Sequence, residues 1–139
     1  VRTRELRRYI AELDEEYRIR GCAFQIDEIA EGYQLRTTEE MGPYIELLHQ
    51  NKRGEKLSKA GMEVLAIIAY KSPITRAEVD AIRGVDSSGT VASLAERELI
   101  EQVGRKEAPG RPIQWGVTKR FLAYFGLKSP SELHHLVTL

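Results

Sequence analysis

Gly104-Arg105-Lys106-Glu107-Ala108-Pro109-Gly110-Arg111-Pro112-Ile113-Gln114-Trp115-Gly116 decides the fold of this chain. Its glycines and prolines separate two β-prone runs, Leu99 to Arg105 and Pro112 to Val117, and so mark a two-stranded wing. Upstream, Ser58 is placed to cap an apolar helix running to Tyr70. Ser72-Pro73 ends that helix, because the residue before a proline is pushed out of helical geometry. Thr75-Arg76-Ala77-Glu78 is a capping box, in which hydroxyl and carboxylate each take an otherwise orphan N–H. It opens a short helix to Arg83, and Gly84 stops it. Asp86-Ser87-Ser88 caps a third helix, with Val91, Leu94 and Ala95 facing inward. After the wing, Thr118 caps a short helix through Phe121, Leu122 and Phe125. Ser129-Pro130-Ser131-Glu132 opens a last helix, with proline at its first position. Three helices, a wing and a closing helix are the plan of a winged-helix domain.

The first half repeats part of that plan. Leu6, Tyr9, Ile10, Leu13 and Tyr17 recur at three- and four-residue steps, which predicts an amphipathic helix from Thr3 to Arg20. Gly21 stops it. A hairpin follows, Ala23 to Ile29 and Tyr33 to Thr37, with Glu31-Gly32 as its turn. Thr37 and Glu40 read as a capping box for a helix from Thr38 to His49. Gln50 to Lys56 is polar, contains Gly54 and reads as a linker. Each half thus has a hairpin followed at once by a Thr-capped helix. The expected fold is mainly α with small β-hairpin wings (α+β), as tandem winged-helix domains. Residues 1–54 are expected to form a partial N-terminal domain and 55–139 a C-terminal one. The chain begins at Val1 within a helical pattern, so the first domain is expected to lack its opening helices.

Composition narrows the function. Of 139 residues, 42% are hydrophobic and 30% charged, ordinary for a globular chain. The longest apolar run, Val64 to Tyr70, is far shorter than the roughly 20 residues of a membrane-spanning helix. Cys22 is the only cysteine, which excludes an internal disulfide and points to a reducing cytoplasm. Lys and Arg number 21, as do Asp and Glu, so the net charge is zero. That removes phosphate neutralisation as a cheap source of nucleic-acid affinity.

The helix that would enter a DNA groove sharpens the point. Ser88 to Glu98 carries one cation, Arg97, and two carboxylates, Glu96 and Glu98, and Glu101 follows. Base edges and phosphates call for Arg, Lys, Asn or Gln there. Arg105, Lys106 and Arg111 on the wing are suited to touching a phosphate backbone. The preferred reading is that they flank Glu107 and solvate a loop.

No catalytic constellation emerges. His49, His134 and His135 have no metal-ligand spacing. Ser87-Ser88-Gly89 lacks the Gly-x-Ser-x-Gly frame of a nucleophile elbow. Pairs such as Glu15-Glu16 and Glu39-Glu40 lie on helix surfaces. The expectation is a chain that is not an enzyme and uses no cofactor or metal. Among the aromatics, Phe121 and Phe125 are read as core. Trp115 and Tyr124 are either partly buried or anchors for a partner peptide, a role that suits amphipathic rings.

These residues resemble a known family. Leu57 to Ala60, Glu63 to Tyr70, Pro73 to Glu78, Ile82 to Val85, Val103 to Lys106, Pro109 to Pro112 and Phe121 to Leu127 match, in order and spacing, the second domain of the bacterial segregation and condensation protein B (ScpB) family. Phe24 to Thr37 and Tyr44 match its first domain more loosely. The chain departs from the family where Glu98 stands for a common glycine, Trp115 for tyrosine, and Val117-Thr118 for a threonine pair. The resemblance implies tandem winged-helix modules that dimerise through the N-terminal domain. It implies a non-catalytic subunit that binds the kleisin ScpA and, through it, SMC. Such a complex serves chromosome condensation and partition in cell division. Localisation would be cytoplasmic and nucleoid-associated, with indirect DNA association and no membrane contact. The residues expected to meet the partner are Trp115, Tyr124 and Arg111, in one apolar groove of the second domain, and Tyr33 and Tyr44 on the first. The competing reading is a winged-helix DNA-binding transcription regulator.

Overall fold

A computed structural model describes residues 2–49 and 56–136. The fold is α+β with two small antiparallel sheets. The chain divides into two compact units, Val1–Glu28 with Gly32–Glu55, and Ile29–Glu31 with Lys56–Leu139. Residues 50–55 of the expected linker lie outside the described residues, as do the side chains of His49, His134 and His135.

In the first unit, α1 (Thr3–Ile19) and the strands β1 (Phe24–Ile29) and β2 (Gly32–Thr37) form as the periodicity predicts. Asp14 on α1 accepts the Ile26 backbone N–H at 2.8 Å, and the rings of Tyr17 and Phe24 meet edge-on at 4.9 Å. Helix and hairpin are thereby tied together. None of α1's residues is buried, so its apolar stripe stays half-exposed.

Two local expectations fail here. The turn is Ala30-Glu31, not Glu31-Gly32, with φ of 51° and 60° at its two residues. Positive φ at both central residues is the type I′ pattern, whose twist matches that of the strands it joins. The Thr37 capping box does not form either, since Thr37 ends β2 and Thr38 extends the pairing by donating to the Ala23 carbonyl at 3.0 Å. A single 3-10 turn (Glu39–Met41) follows, and α2 starts afresh at Gly42–His49. Pro43 explains the break: inside a longer helix it would lose one hydrogen bond and clash with the preceding turn, whereas a first turn accepts it.

The second unit runs α3 (Lys59–Lys71), β3 (Ile74–Thr75), α4 (Arg76–Arg83), α5 (Ser88–Glu96), β4 (Ile100–Arg105), β5 (Ile113–Val117), α6 (Lys119–Phe125) and α7 (Ser131–Leu136). The caps at Ser58, Thr75 and Thr118 are all made through their hydroxyls, and Gly84 and Gly126 close α4 and α6 in left-handed geometry. Sheet order is β3-β5-β4, with Ile74 opposite Trp115 and Ile100 opposite Val117. β3 was not foreseen, because two residues carry no periodicity.

The core lies beneath this sheet and among the helices. Val64, Leu65 and Ile68 of α3 meet Val79, Val91, Leu94, Ile100, Phe121 and Leu122. Phe125 departs from its expected place in the core: it is 37% exposed, with its ring resting 4.8 Å from that of Phe121. On a seven-residue helix only part of the circumference faces inward, and Phe121 and Leu122 occupy it.

The turn into α5 is fixed by a polar network; of the expected Asp86-Ser87-Ser88 cap, Asp86 bonds at the helix start by accepting the Ser88 hydroxyl at 2.5 Å. Ser87 is the N-cap residue, but its side chain makes no capping bond. Its hydroxyl accepts from Arg83 at 2.8 Å, and its backbone N–H donates to Asp80 at 2.7 Å. Arg83 also pairs with Glu63 of α3 at 3.3 Å. A fully buried hydroxyl is thus satisfied, and α3, α4 and α5 are held in register.

Glu98 takes the left-handed turn itself, at φ 58°, a conformation that favours glycine. Its carbonyl accepts the Thr118 hydroxyl at 2.6 Å, which locks the exit from α5 to the cap of α6. A side chain at such φ costs about 1–2 kcal/mol. The exposed Glu98–Arg120 pair, at 2.9 Å, offsets little of it. Glu98→Gly is therefore expected to stabilise the unit by about 0.5–1 kcal/mol. Urea unfolding should show a higher midpoint with an unchanged slope, and a lower midpoint would contradict the strain argument.

Candidate partner-binding surface

The outward face of α5 presents Gly89, Ala92, Ser93 and Glu96. None of these four residues carries a cation that could meet a phosphate. What α5 does border is an open hollow of about 410 Å³, walled by Arg76, Val91, Ala92, Pro112, Ile113 and Trp115. α4 supplies Arg76, α5 supplies Val91 and Ala92, and β5 supplies the rest. Trp115 is half-buried: one part packs on the core, the other faces the hollow.

The β4–β5 hairpin forms one side of this hollow. At its tip Arg111 has φ 41° and an exposed guanidinium. Lys106 reaches down to Glu78 of α4, the capping-box carboxylate. Glu78 therefore accepts from Lys106 and also from the backbone N–H and hydroxyl of Thr75, both at 2.9 Å. Lys106 first, and Thr75 after it, hold the Glu78 carboxyl at about 2, well below the usual carboxylate range. A group with a depressed folded value contributes stability above its unfolded value and loses it as pH falls toward the folded one. The unfolding midpoint of the chain should therefore drop between about pH 4.5 and pH 2, and Glu78→Gln should flatten that drop. An identical acid profile in the variant would remove Glu78 from the account.

A second hollow, of about 220 Å³, lies on the other helices of the same unit. Met62, Leu65 and Tyr70 of α3 line it with Phe121 and Phe125 of α6 and Leu133 of α7. Tyr124, 59% exposed, stands beside it through an edge contact with Phe125 at 5.0 Å. The structure thus places Trp115 and Arg111 with the first hollow and Tyr124 with the second, where one shared groove was expected. Tyr33 on β2 and Tyr44 on α2 are both exposed on the first unit.

Sequence reasoning missed Arg76, Ala92 and Ile113 as lining residues. Ala92 lies one residue past Val91, on the rim of the inward stripe, a position periodicity marks only as boundary. Among the described residues no group of three His, Cys, Asp or Glu side chains is placed to hold a metal ion. No helix among them is long and apolar enough to cross a membrane.

Residues 1–136 match the family model described as segregation and condensation complex subunit ScpB. The chain is 49% identical over 124 residues to segregation and condensation protein B of Syntrophotalea carbinolica, which covers 89% of this chain and 62% of that protein. It is likewise 49% identical over 124 residues to the protein of that name from Desulforamulus reducens, covering 89% and 68%. The solved structure of ScpB from Mycobacterium tuberculosis is similar at 32% identity and a TM-score of 0.50, over 85% of this chain and 73% of that one. The chain thus spans about three fifths of the first relative's length.

Proposed function

The chain belongs to the family of segregation and condensation complex subunit ScpB, and from that premise we propose that it is a non-catalytic subunit of the bacterial SMC–kleisin complex. In this reading both units are winged-helix modules. The second binds the kleisin ScpA, and the first, with Tyr33 and Tyr44 exposed, provides the dimer contact. Action on the chromosome follows through SMC, in the cytoplasm and at the nucleoid, with DNA reached through the complex. The observation that carries the reading is the face of α5 and its neighbouring hollow. A groove-reading helix needs cations, and here its place is taken by Gly89, Ala92, Ser93 and Glu96 above an apolar floor. Such a hollow excludes water from a protein side chain, and Arg76, the cation that lines it, is already paired with Asp80 and Asp86.

Sedimentation tests it. With a peptide spanning the central segment of ScpA, the chain should sediment as a heavier species whose mass increases by the bound peptide. Unchanged sedimentation across a saturating peptide range would contradict kleisin binding.

A further inference from the structure

The hollow between α4, α5 and β5 also indicates what kind of segment it takes. Its floor is Val91, Ala92, Ile113 and Trp115. Its hairpin side ends in Arg105, Lys106 and Arg111. Lys106 is neutralised by Glu78. Arg111 has only a loose pairing with Glu107, at 3.9 Å, between side chains that are 70% and 94% exposed. Arg105 donates to the Arg111 carbonyl at 3.0 Å and pairs with no carboxylate among the described residues. The hairpin tip therefore holds a positive charge in surplus, set against an apolar floor.

We propose that this hollow receives an acidic segment of the partner carrying one bulky apolar side chain. The apolar group seats on Val91, Ile113 and Trp115, and flanking carboxylates meet Arg105 and Arg111. This rests on the kleisin-binding reading and adds the surface and the chemistry of the bound segment. Carboxylate recognition by exposed arginines beside a buried apolar anchor is a standard division between rim and centre of an interface. A nucleic-acid backbone fits less well, since Glu96 is exposed on α5 and would repel its phosphates, and Arg76 beside Ala92 is already paired with Asp80 and Asp86. The hollow lined by Met62 and Phe125 is walled by apolar and aromatic side chains, and nothing among the described residues specifies an occupant.

Ala92 provides the test, because it is exposed on α5 and lines the hollow without belonging to the core. The probe is a synthetic peptide of the central ScpA segment, titrated calorimetrically into the whole chain. Ala92→Trp, which fills the hollow, and Ala92→Glu, which repels an acidic segment, should each weaken binding about tenfold or more. At the other hollow, Met62→Glu should leave it unchanged. Replacing the peptide's carboxylates by amides should weaken binding and flatten its salt dependence. Thermal unfolding of each variant checks that the fold is kept. Wild-type affinity in both Ala92→Trp and Ala92→Glu would overturn the assignment while leaving kleisin binding intact. So would displacement of the peptide by short duplex DNA at moderate salt. Failure of the unmodified chain to bind the peptide would instead overturn the reading on which the assignment rests.

Discussion

Leu94→Ala is expected to destabilise the second unit by about 2–5 kcal/mol, the range for removing a fully buried leucine. Leu94 is 1% exposed and lies on the inward face of α5, in one cluster with Val64, Leu65 and Ile68 of α3. The substitution deletes apolar contact and leaves a void that the surroundings fill only in part. Relief by movement is restricted here. α5 is held at its start by the Ser87, Asp80 and Arg83 bonds and at its exit by the Glu98 carbonyl on Thr118. A helix fixed at both ends cannot shift to close a cavity, which places the effect in the upper part of the range. Leu94→Met, which nearly conserves volume, should cost less than about 1.5 kcal/mol. Equilibrium urea unfolding measures both, with tryptophan fluorescence as probe, since Trp115 packs against this core. A loss below about 1 kcal/mol for Leu94→Ala would mean that α5 is not clamped as described.

Trp115→Ala should lower affinity for the central ScpA segment by about 30-fold or more, the mark of an interface anchor worth about 2 kcal/mol. The ring sits mid-strand on β5, opposite Ile74 on one side and Gln102 on the other. Its position is therefore set by the sheet, so it meets a partner without being ordered first. Because part of the ring also packs on the core, truncation lowers stability as well. Trp115→Tyr separates the two effects. It keeps the core contact and the apolar face, and should retain most of the affinity. Equal loss in both variants would show that the indole itself, not its apolar area, is recognised.

Much of this organisation was legible in the sequence because it depends on short-range chemistry. Ser58, Thr75 and Thr118 cap their helices, Gly84 ends α4, and Pro109-Gly110 turns the hairpin, each through bonds made within a few residues. The misreadings have physical causes of the same scale. Thr37 and Glu40 have capping-box spacing, but Pro43 forbids the helix they would start. Ala30-Glu31 turns because strand twist outweighs the preference for glycine. Ser87 is drawn from its cap to Arg83, a partner that only the packing of α4 against α5 supplies. Glu98 occupies a position with glycine-like backbone geometry that no residue preference in the sequence marks. The surface was harder to read. Trp115 and Tyr124 look alike in sequence, an aromatic near the wing, yet the turn at Thr118 sends them to different hollows. Arg76 and Ala92 come together with Ile113 only through tertiary packing, and no spacing rule connects them.

The central claim is that this fold holds a kleisin, not DNA. Calorimetric titration of the chain with the central ScpA segment at moderate salt tests it most directly, with short duplex DNA titrated in parallel. The account predicts saturable binding of the peptide, lost in Trp115→Ala, and no measurable binding of the duplex. Tight, sequence-dependent binding of the duplex with no heat from the peptide would contradict it.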